Sequence, residues 1–200
     1  MEKLLGTLKK GLVFVISAPA GTGKTTLVRM LVDEFPVVKE SISCTTRAPR
    51  PGEIPDKDYH FLSKSAFEAK IAAGEFLEHA EVFGTHYGTL RSDVLEEQNK
   101  GHHVVLVIDT QGALELKKSK FPAIFIFVQP PSLAELRQRL FKRQTEKDEH
   151  IEERLSWAEG EIEKAKLYDY NIVNDNLHRA FELFRCIVIA EEHKNRGNHG

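Results

Sequence analysis

The chain has 200 residues, 41% of them hydrophobic, which is enough for one core of ordinary size and too apolar for a disordered chain. Its 28 basic and 30 acidic side chains leave a net charge of −2, which argues against a broadly basic nucleic-acid surface, and no run reaches the ~18 apolar residues of a membrane span. The two cysteines follow no C-x-x-C pattern and the nine histidines no zinc-ligand spacing, so both thiols read as small buried residues in a reducing cytoplasm.

Residues 1 to 10 read as a polar lead-in that frays. Lys9 and Lys10 before an apolar stretch suggest a secretory signal, but Leu12 to Ile16 is shorter than the ~7 apolar residues such a core needs. The same stretch works better as a buried strand. Ser17, Ala18, Pro19, Ala20, Gly21, Thr22 and Gly23 then form a loop of small residues. Lys24, Thr25 and Thr26 open a segment with Leu27, Val28, Leu31 and Val32 at helical spacing. Strand, small-residue loop, Lys-Thr and helix together are the context of a phosphate-binding P-loop. Gly21 and Gly23 let backbone N–H groups turn toward phosphate oxygens. The helix N-terminus adds partial positive charge. Lys24 can reach β- and γ-phosphates, and the Thr25 hydroxyl can ligate Mg²⁺. Ala18 stands where the pattern has its first Gly, and it serves there provided the position does not require a positive φ.

That helix stops before Pro36. Residues 40 to 58 are loop-like, because Pro49, Pro51, Gly52 and Pro55 break regular structure, with Ser41 to Ser43 as a short strand entering them. Tyr59 to Leu62 reads as a strand. Ser65-x-x-Glu68 is a capping box for a helix to about Ala73. Glu75 to Phe83 and Thr85 to Thr89 are two strands around Gly84. The region from 41 to 90 thus breaks the strand–helix rhythm of the rest, as an inserted α+β subdomain. Leu90 to Gln98 is helical, His103 to Ile108 a strand, Gln111 to Lys118 a helix and Ala123 to Val128 a strand. Ser132-x-x-Glu135 caps a helix to about Arg143. Residues 144 to 150 are wholly polar and read as a solvated segment. A helix over 151 to 166, a strand over Tyr170 to Val173 and a last helix from Leu177 to about His193 complete the chain. Alternating strands and helices imply a parallel sheet with helices on both faces, with ligands beyond the carboxyl ends of its strands.

Two further constellations carry chemistry. Asp109 ends the run Val104 to Ile108, where a carboxylate suits a Walker B role through Mg²⁺ or a metal-bound water, or simply caps the next helix. Arg47 and Arg50 sit in a Pro-stiffened loop and can grip one phosphate from two sides, since the guanidinium fork donates two bonds at once. Tyr59 and Tyr87 add neutral donors. A solvated basic loop is the plainer reading of that cluster alone.

Ser43-Cys44-Thr45-Thr46-Arg47-Ala48-Pro49-Arg50-Pro51-Gly52-Glu53, with Lys57-Asp58-Tyr59, Gly74 to Glu78, Tyr87-Gly88-Thr89, Asp109-x-Gln111-Gly112, Pro130-Pro131-Ser132, Arg139-Leu140-x-x-Arg143 and Asn174-Asp175, resembles the guanylate kinase family. The matches run in order over about residues 12 to 190. The resemblance implies a P-loop NTPase-type core over about 11–40, 91–134 and 168–193, a GMP-binding subdomain over about 41–90 and a helical lid over about 135–167. It implies ATP, Mg²⁺ and GMP as ligands, with no nucleic acid, membrane or obligatory protein partner. Arg47, Arg50, Tyr59 and Tyr87 fall on positions that hold the GMP phosphate. Ser43, Glu78 and Thr89 fall on positions that read guanine, with Asp109 nearby. Guanine presents N1–H and N2–H₂ side by side, and an ionised Glu78 accepts both. Arg47, Arg139, Arg143 and Arg154 join Lys24 around the transferred phosphoryl, and Asn174 falls on the adenine side of ATP. Arg137 reads as a bystander.

The sequence departs from the family pattern at Ala18, at Gln144 (usually Gly after the lid arginine) and at Val107 (often a second Asp). Two other readings compete. One is a guanylate-kinase-like binding module that no longer catalyses, which the intact Lys24-Thr25 disfavours. The other is a kinase for a ribose bisphosphate, which Ser43, Glu78 and Thr89 disfavour.

Overall fold

The computed structural model describes residues 4–82, 84–142 and 148–195. Arg143 and Gln144, with Phe83, lie outside them. The first strand, β1 (Val13–Ser17), is buried at every position, because it lies at the centre of a sheet covered on both faces. Helix α1 (Lys24–Glu34) follows, then β2 (Val38–Glu40), β3 (Cys44–Thr45), β4 (His60–Phe61), α2 (Lys64–Ala72), β5 (Phe76–Val82) and β6 (Thr85–Leu90). The second half runs α3 (Arg91–Asn99), β7 (His103–Val107), α4 (Thr110–Lys118), β8 (Ile124–Gln129), α5 (Leu133–Lys142), α6 (Asp148–Glu163), a 3-10 turn, β9 (Tyr170–Val173) and α7 (Leu177–His193).

Five strands form one parallel sheet in the order β2-β7-β1-β8-β9. Alternation along β1 divides the core. Phe14 and Ile16 pack with Leu27 and Leu31 of α1 and Phe184 of α7, while Val13 and Val15 pack with Val94 of α3 and Leu116 of α4. The other four strands form a mixed sheet, β4-β3-β6-β5, closed beneath by Phe67 of α2 stacked on Phe76 at 4.5 Å between ring centres. Gly88 in β6 is what lets that stack form, since a Cβ there would meet the Phe76 ring at 2.9 Å.

Four expectations change. The segment 41–43 is not a strand; β2 and β3 flank it, and β2 is an edge strand whose Val-Lys-Glu carries no alternation to read. Helix α2 is capped by Ser63, whose Oγ accepts the Ala66 N–H at 3.2 Å, so Ser65 lies inside the first turn. The lead-in is not loose: Leu5 is buried, and Gly6 and Thr7 are bonded to Glu192. Cys186 is exposed, whereas Cys44 is buried. The polar segment 144–150 falls partly outside the described residues, and α6 already begins at Asp148. Among the described residues no helix is long and apolar enough to cross a membrane.

Candidate active site

The loop after β1 turns twice through the left-handed region, at Gly21 (φ 88°) and Gly23 (φ 92°), the latter as the N-cap of α1. Among the described residues only Asp56 and Lys120 are non-glycine residues at positive φ, so Ala18 fills its place without strain. The Thr22 hydroxyl donates to the Pro19 carbonyl at 2.8 Å and closes the turn. Asn174, buried at the end of β9, donates its side-chain N–H to the Thr22 carbonyl at 2.6 Å. A Cβ on Gly23 would reach that nitrogen at 2.7 Å, which is why a glycine is required there. Asn176, not Asn174, caps α7, accepting the Arg179 N–H at 3.1 Å.

Lys24 opens α1 and its Nζ donates to the Ala18 carbonyl at 3.4 Å. Burial lowers its pKa, while the charges of Glu161 and Asp109 pull it back up. Lys24, Asp109, Arg154 and Glu161 line one cleft of about 230 Å³, with Trp157 at its rim, half exposed. Asp109 does cap a helix: its Oδ1 accepts the N–H groups of Gln111 at 2.7 Å and Gly112 at 3.0 Å. Glu161, on α6, accepts the Thr110 hydroxyl at 2.8 Å. No sequence pattern singled it out, because it is one acidic residue on a helix rich in charge. Arg139 is held aside, donating to Glu135 at 3.1 Å and to the Asn174 carbonyl at 3.0 Å. It therefore links the helix after the Ser132 cap to the loop that grips Thr22. Arg137 pairs with Glu152 across α5 and α6.

A second cleft, of about 410 Å³, is lined by Thr25, Glu40, Ser43, Arg47, Arg50 and Tyr59, among others. Arg47 is committed to a fork with Glu53, at 2.7 and 2.6 Å, which holds the Glu53 carboxyl down to about 2. Its guanidinium also lies 4.8 Å from the Tyr59 ring centre, and its buried Nε has no partner. Tyr87 stands edge-on to Tyr59 at 6.1 Å. The two arginines and two tyrosines read from the sequence are thus brought together. Glu53 was legible in the Arg-Pro-Gly-Glu run but carried no role there.

Glu78 and Thr89 face each other across β5 and β6, and the Thr89 hydroxyl donates to Glu78 Oε1 at 2.6 Å. Glu78 is 7% exposed and packs against Gly112 at the N-terminus of α4, where a Cβ would strike its carboxylate. Burial pushes the Glu78 carboxyl up to about 7 against the Thr89 bond, and the Asp109 charge adds to the rise. Neither of the two clefts is lined by Glu78, Tyr87 or Thr89.

A parallel sheet with a glycine-turned loop, a half-buried lysine at the start of a helix and a second nucleotide-sized cleft beside it define a P-loop nucleotide-binding protein. A family profile described as guanylate kinase matches residues 10–191. The chain is 58% identical over 189 residues to the guanylate kinase of Protochlamydia amoebophila, covering 94% of this chain and 95% of that one. It is 46% identical to the guanylate kinase of Geobacter sulfurreducens over 92% of this chain and 91% of the other. A crystal structure of guanylate kinase from Anaplasma phagocytophilum superposes with a TM-score of 0.76 at 35% identity, covering 92% and 88% of the two chains. The chain belongs to the guanylate kinase family.

Proposed function

We infer that this protein transfers the γ-phosphoryl of ATP to GMP, giving ADP and GDP. The observation that carries the reading is the buried Glu78–Thr89 pair on the inserted sheet, beside a P-loop with Lys24 in place. A buried carboxylate with a hydroxyl beside it suits guanine's paired donors and its O6, and would face an acceptor on adenine. Polar pockets of this kind discriminate by roughly 10⁴–10⁵. The division of labour is the one the family resemblance implies: about 41–90 hold GMP, about 135–167 form a lid, and the core over about 11–40, 91–134 and 168–193 holds ATP, with Asn174 near its adenine. Arg47, Arg50, Tyr59 and Tyr87 bind the GMP phosphate and Ser43 its base. The resemblance assigns Lys24, Arg47, Arg139, Arg143 and Arg154 to the transferred group, with Arg143 outside the described residues. The GMP phosphate is already anionic, so alignment and charge neutralisation supply the catalysis.

The metal reading fits the donor set. Among the described residues there is no all-protein cage of three or more His, Cys, Asp or Glu. Mg²⁺ prefers one or two protein groups plus phosphate oxygens, and Thr25 at the start of α1 offers such a group. When bound, Mg²⁺ would neutralise and align the β- and γ-phosphates. The free thiols suit a cytoplasmic setting.

The test is a coupled assay of ADP formation with Mg-ATP and GMP, dGMP, AMP, UMP or ribose 1,5-bisphosphate. GMP-selective turnover is expected. GMP binding without turnover would indicate a binding module instead, and turnover on the sugar phosphate alone would refute the guanine pocket.

Glu78→Gln is expected to raise the GMP KM by roughly 10- to 10²-fold, the worth of a bond to a charged acceptor, and to leave the ATP KM in place. Because the folded carboxyl titrates near 7 against 4.5 when unfolded, its neutral form adds stability that is full below about pH 4.5. That stability is lost as pH rises to about 7. Glu78→Gln should therefore melt higher than wild type above neutrality, and wild-type GMP affinity should fall as pH drops below about 7. A GMP KM that stays flat between about pH 6 and about pH 8 would remove Glu78 from base recognition.

Trp157 is the chain's only tryptophan and lines the Lys24 cleft. Closure of the lid over both nucleotides, which excludes water as acceptor, should change its fluorescence when a bisubstrate analogue binds. An unchanged spectrum at saturation would argue against closure onto that cleft.

A further inference from the structure

Val107 stands where the family pattern often has a second Asp, which leaves that end of β7 without a carboxylate, and Asp109 spends Oδ1 on capping α4. Asp109 and Glu161 line the Lys24 cleft and not the one that Thr25 lines, so metal-bound waters beside Thr25 gain from an acidic acceptor on the Thr25 side, since hydrated Mg²⁺ holds its shell through such groups. The sheet supplies one on the neighbouring strand. Glu40 ends β2 and is the register partner of Val105 in β7. Partners in adjacent strands share a face, and Val105 and Val107, two apart, share it as well. Both valines pack on the side occupied by α1, with Val38 one step earlier on β2. Glu40, Val107, Thr25 and Arg29 accordingly line the same cleft.

We propose that Glu40 is the positioning carboxylate for the metal's bound waters, taking from β2 the role that Val107 cannot perform on β7. This rests on the ATP:GMP reading above. The surroundings agree with it. Glu40 remains open to water, yet the cleft walls crowd its carboxyl enough to push its pKa up, with Arg29 pulling it down and Asp58 adding to the rise. A carboxylate so placed is costly to keep ionised without a cation and gains when one arrives. The plainer alternative is a surface acid balanced by Arg29.

The experiment compares wild type, Glu40→Gln and the double variant Glu40→Leu/Val107→Asp. Calorimetry measures the affinity for β,γ-imido-ATP with Mg²⁺ and with EDTA, and kinetics gives the Mg²⁺ concentration for half-maximal turnover. In Glu40→Gln the ratio of the two affinities should fall about 10-fold, the usual loss when a metal's outer partner is removed, with a matching rise in the Mg²⁺ requirement. Metal-free affinity should not weaken. Asp at position 107, on the same face, should restore the ratio. A ratio within about twofold of wild type in Glu40→Gln would overturn the proposal while leaving the enzyme's function intact. So would a raised GMP KM at an unchanged ratio, which would assign Glu40 to the acceptor nucleotide. Wild type without GMP-dependent ADP formation would sink the functional reading, and this proposal with it.

Discussion

Lys24→Ala should lower turnover with ATP and GMP by on the order of 10³-fold or more, the scale that a single cation at a transferring phosphoryl contributes. The fold should survive. Lys24 opens a helix whose core contacts come from Leu27, Val28 and Leu31, and its ammonium makes one long bond of 3.4 Å to a loop carbonyl. Its burial is a cost to the protein, visible in the lowered pKa, so its removal relieves desolvation even as Glu161 and Asp109 lose a counter-charge. The melting temperature should shift by no more than a few degrees, with an unchanged circular dichroism spectrum. Near-wild-type turnover in a variant whose substitution is confirmed would refute the P-loop assignment. Lys24→Arg sharpens the test. It keeps the charge but replaces the compact ammonium, a point charge on a flexible stem, with a wider planar guanidinium. It should recover little of the lost rate.

The phosphate loop was legible because its signals are local. Small residues, Lys-Thr and helical spacing follow one another, and Val13–Ser17 and Lys24–Glu34 appear within a residue or so of where the pattern puts them. The strands buried on both faces were legible for the same reason: an unbroken apolar run has few other uses. What was hidden is non-local. β2 is defined by bonding to β7 some 65 positions later (Lys39 to Val104), not by its own composition. Two serines compete to cap α2, and the capping-box pattern favoured Ser65, whereas Ser63 lies where the chain leaves β4 with extended geometry (φ −66°, ψ 157°). Within the candidate site, Arg47 with Tyr59 and Glu78 with Thr89 are grouped by the sequence, and each pair does meet in the structure. Other pairings were not legible in it. That Glu53 holds the Arg47 fork, that Asn174 grips the loop at Thr22 and that Glu161 faces Lys24 are facts of folding back, at separations of 6, 152 and 137 positions. Sequence alone allows Asp109 both a cap and metal chemistry, and the structure gives it a cap on one oxygen without closing the cleft to the other.

Glu192→Ala should cost about 3–5 kcal/mol, the penalty for stranding buried partners of an ionised group. The residue is 3% exposed and accepts four bonds: Gly6 N–H at 2.9 Å, Thr7 N–H at 2.7 Å, the Thr7 hydroxyl at 2.5 Å and His103 Nε2 at 2.5 Å. The Leu12 N–H donates to His103 Nδ1 at 3.0 Å, which makes Nδ1 the acceptor and puts the imidazole proton on Nε2, toward Glu192. Burial alone would raise the Glu192 carboxyl, but the Thr7, Gly6 and His103 donors outweigh it and bring it to about 2. The folded pKa lies below the unfolded 4.5, so this stabilisation is complete above about pH 4.5 and is lost as pH falls toward about 2. A loss of that size corresponds to a melting temperature about 10 °C lower at neutral pH, and wild type and variant should converge as the solution is acidified. The pin joins the lead-in, the start of β7 and the end of α7. It therefore sits at the amino end of the sheet, away from the loop that leaves the carboxyl end of β1. Turnover and the KM for GMP measured well below the transition should stay near wild type, and amide exchange at Gly6 and Thr7 should accelerate. A melting temperature within about 2 °C of wild type, or a kinetic defect at low temperature, would mean that the lead-in is held by something other than this carboxylate or that the far end of the sheet is coupled to the phosphate loop.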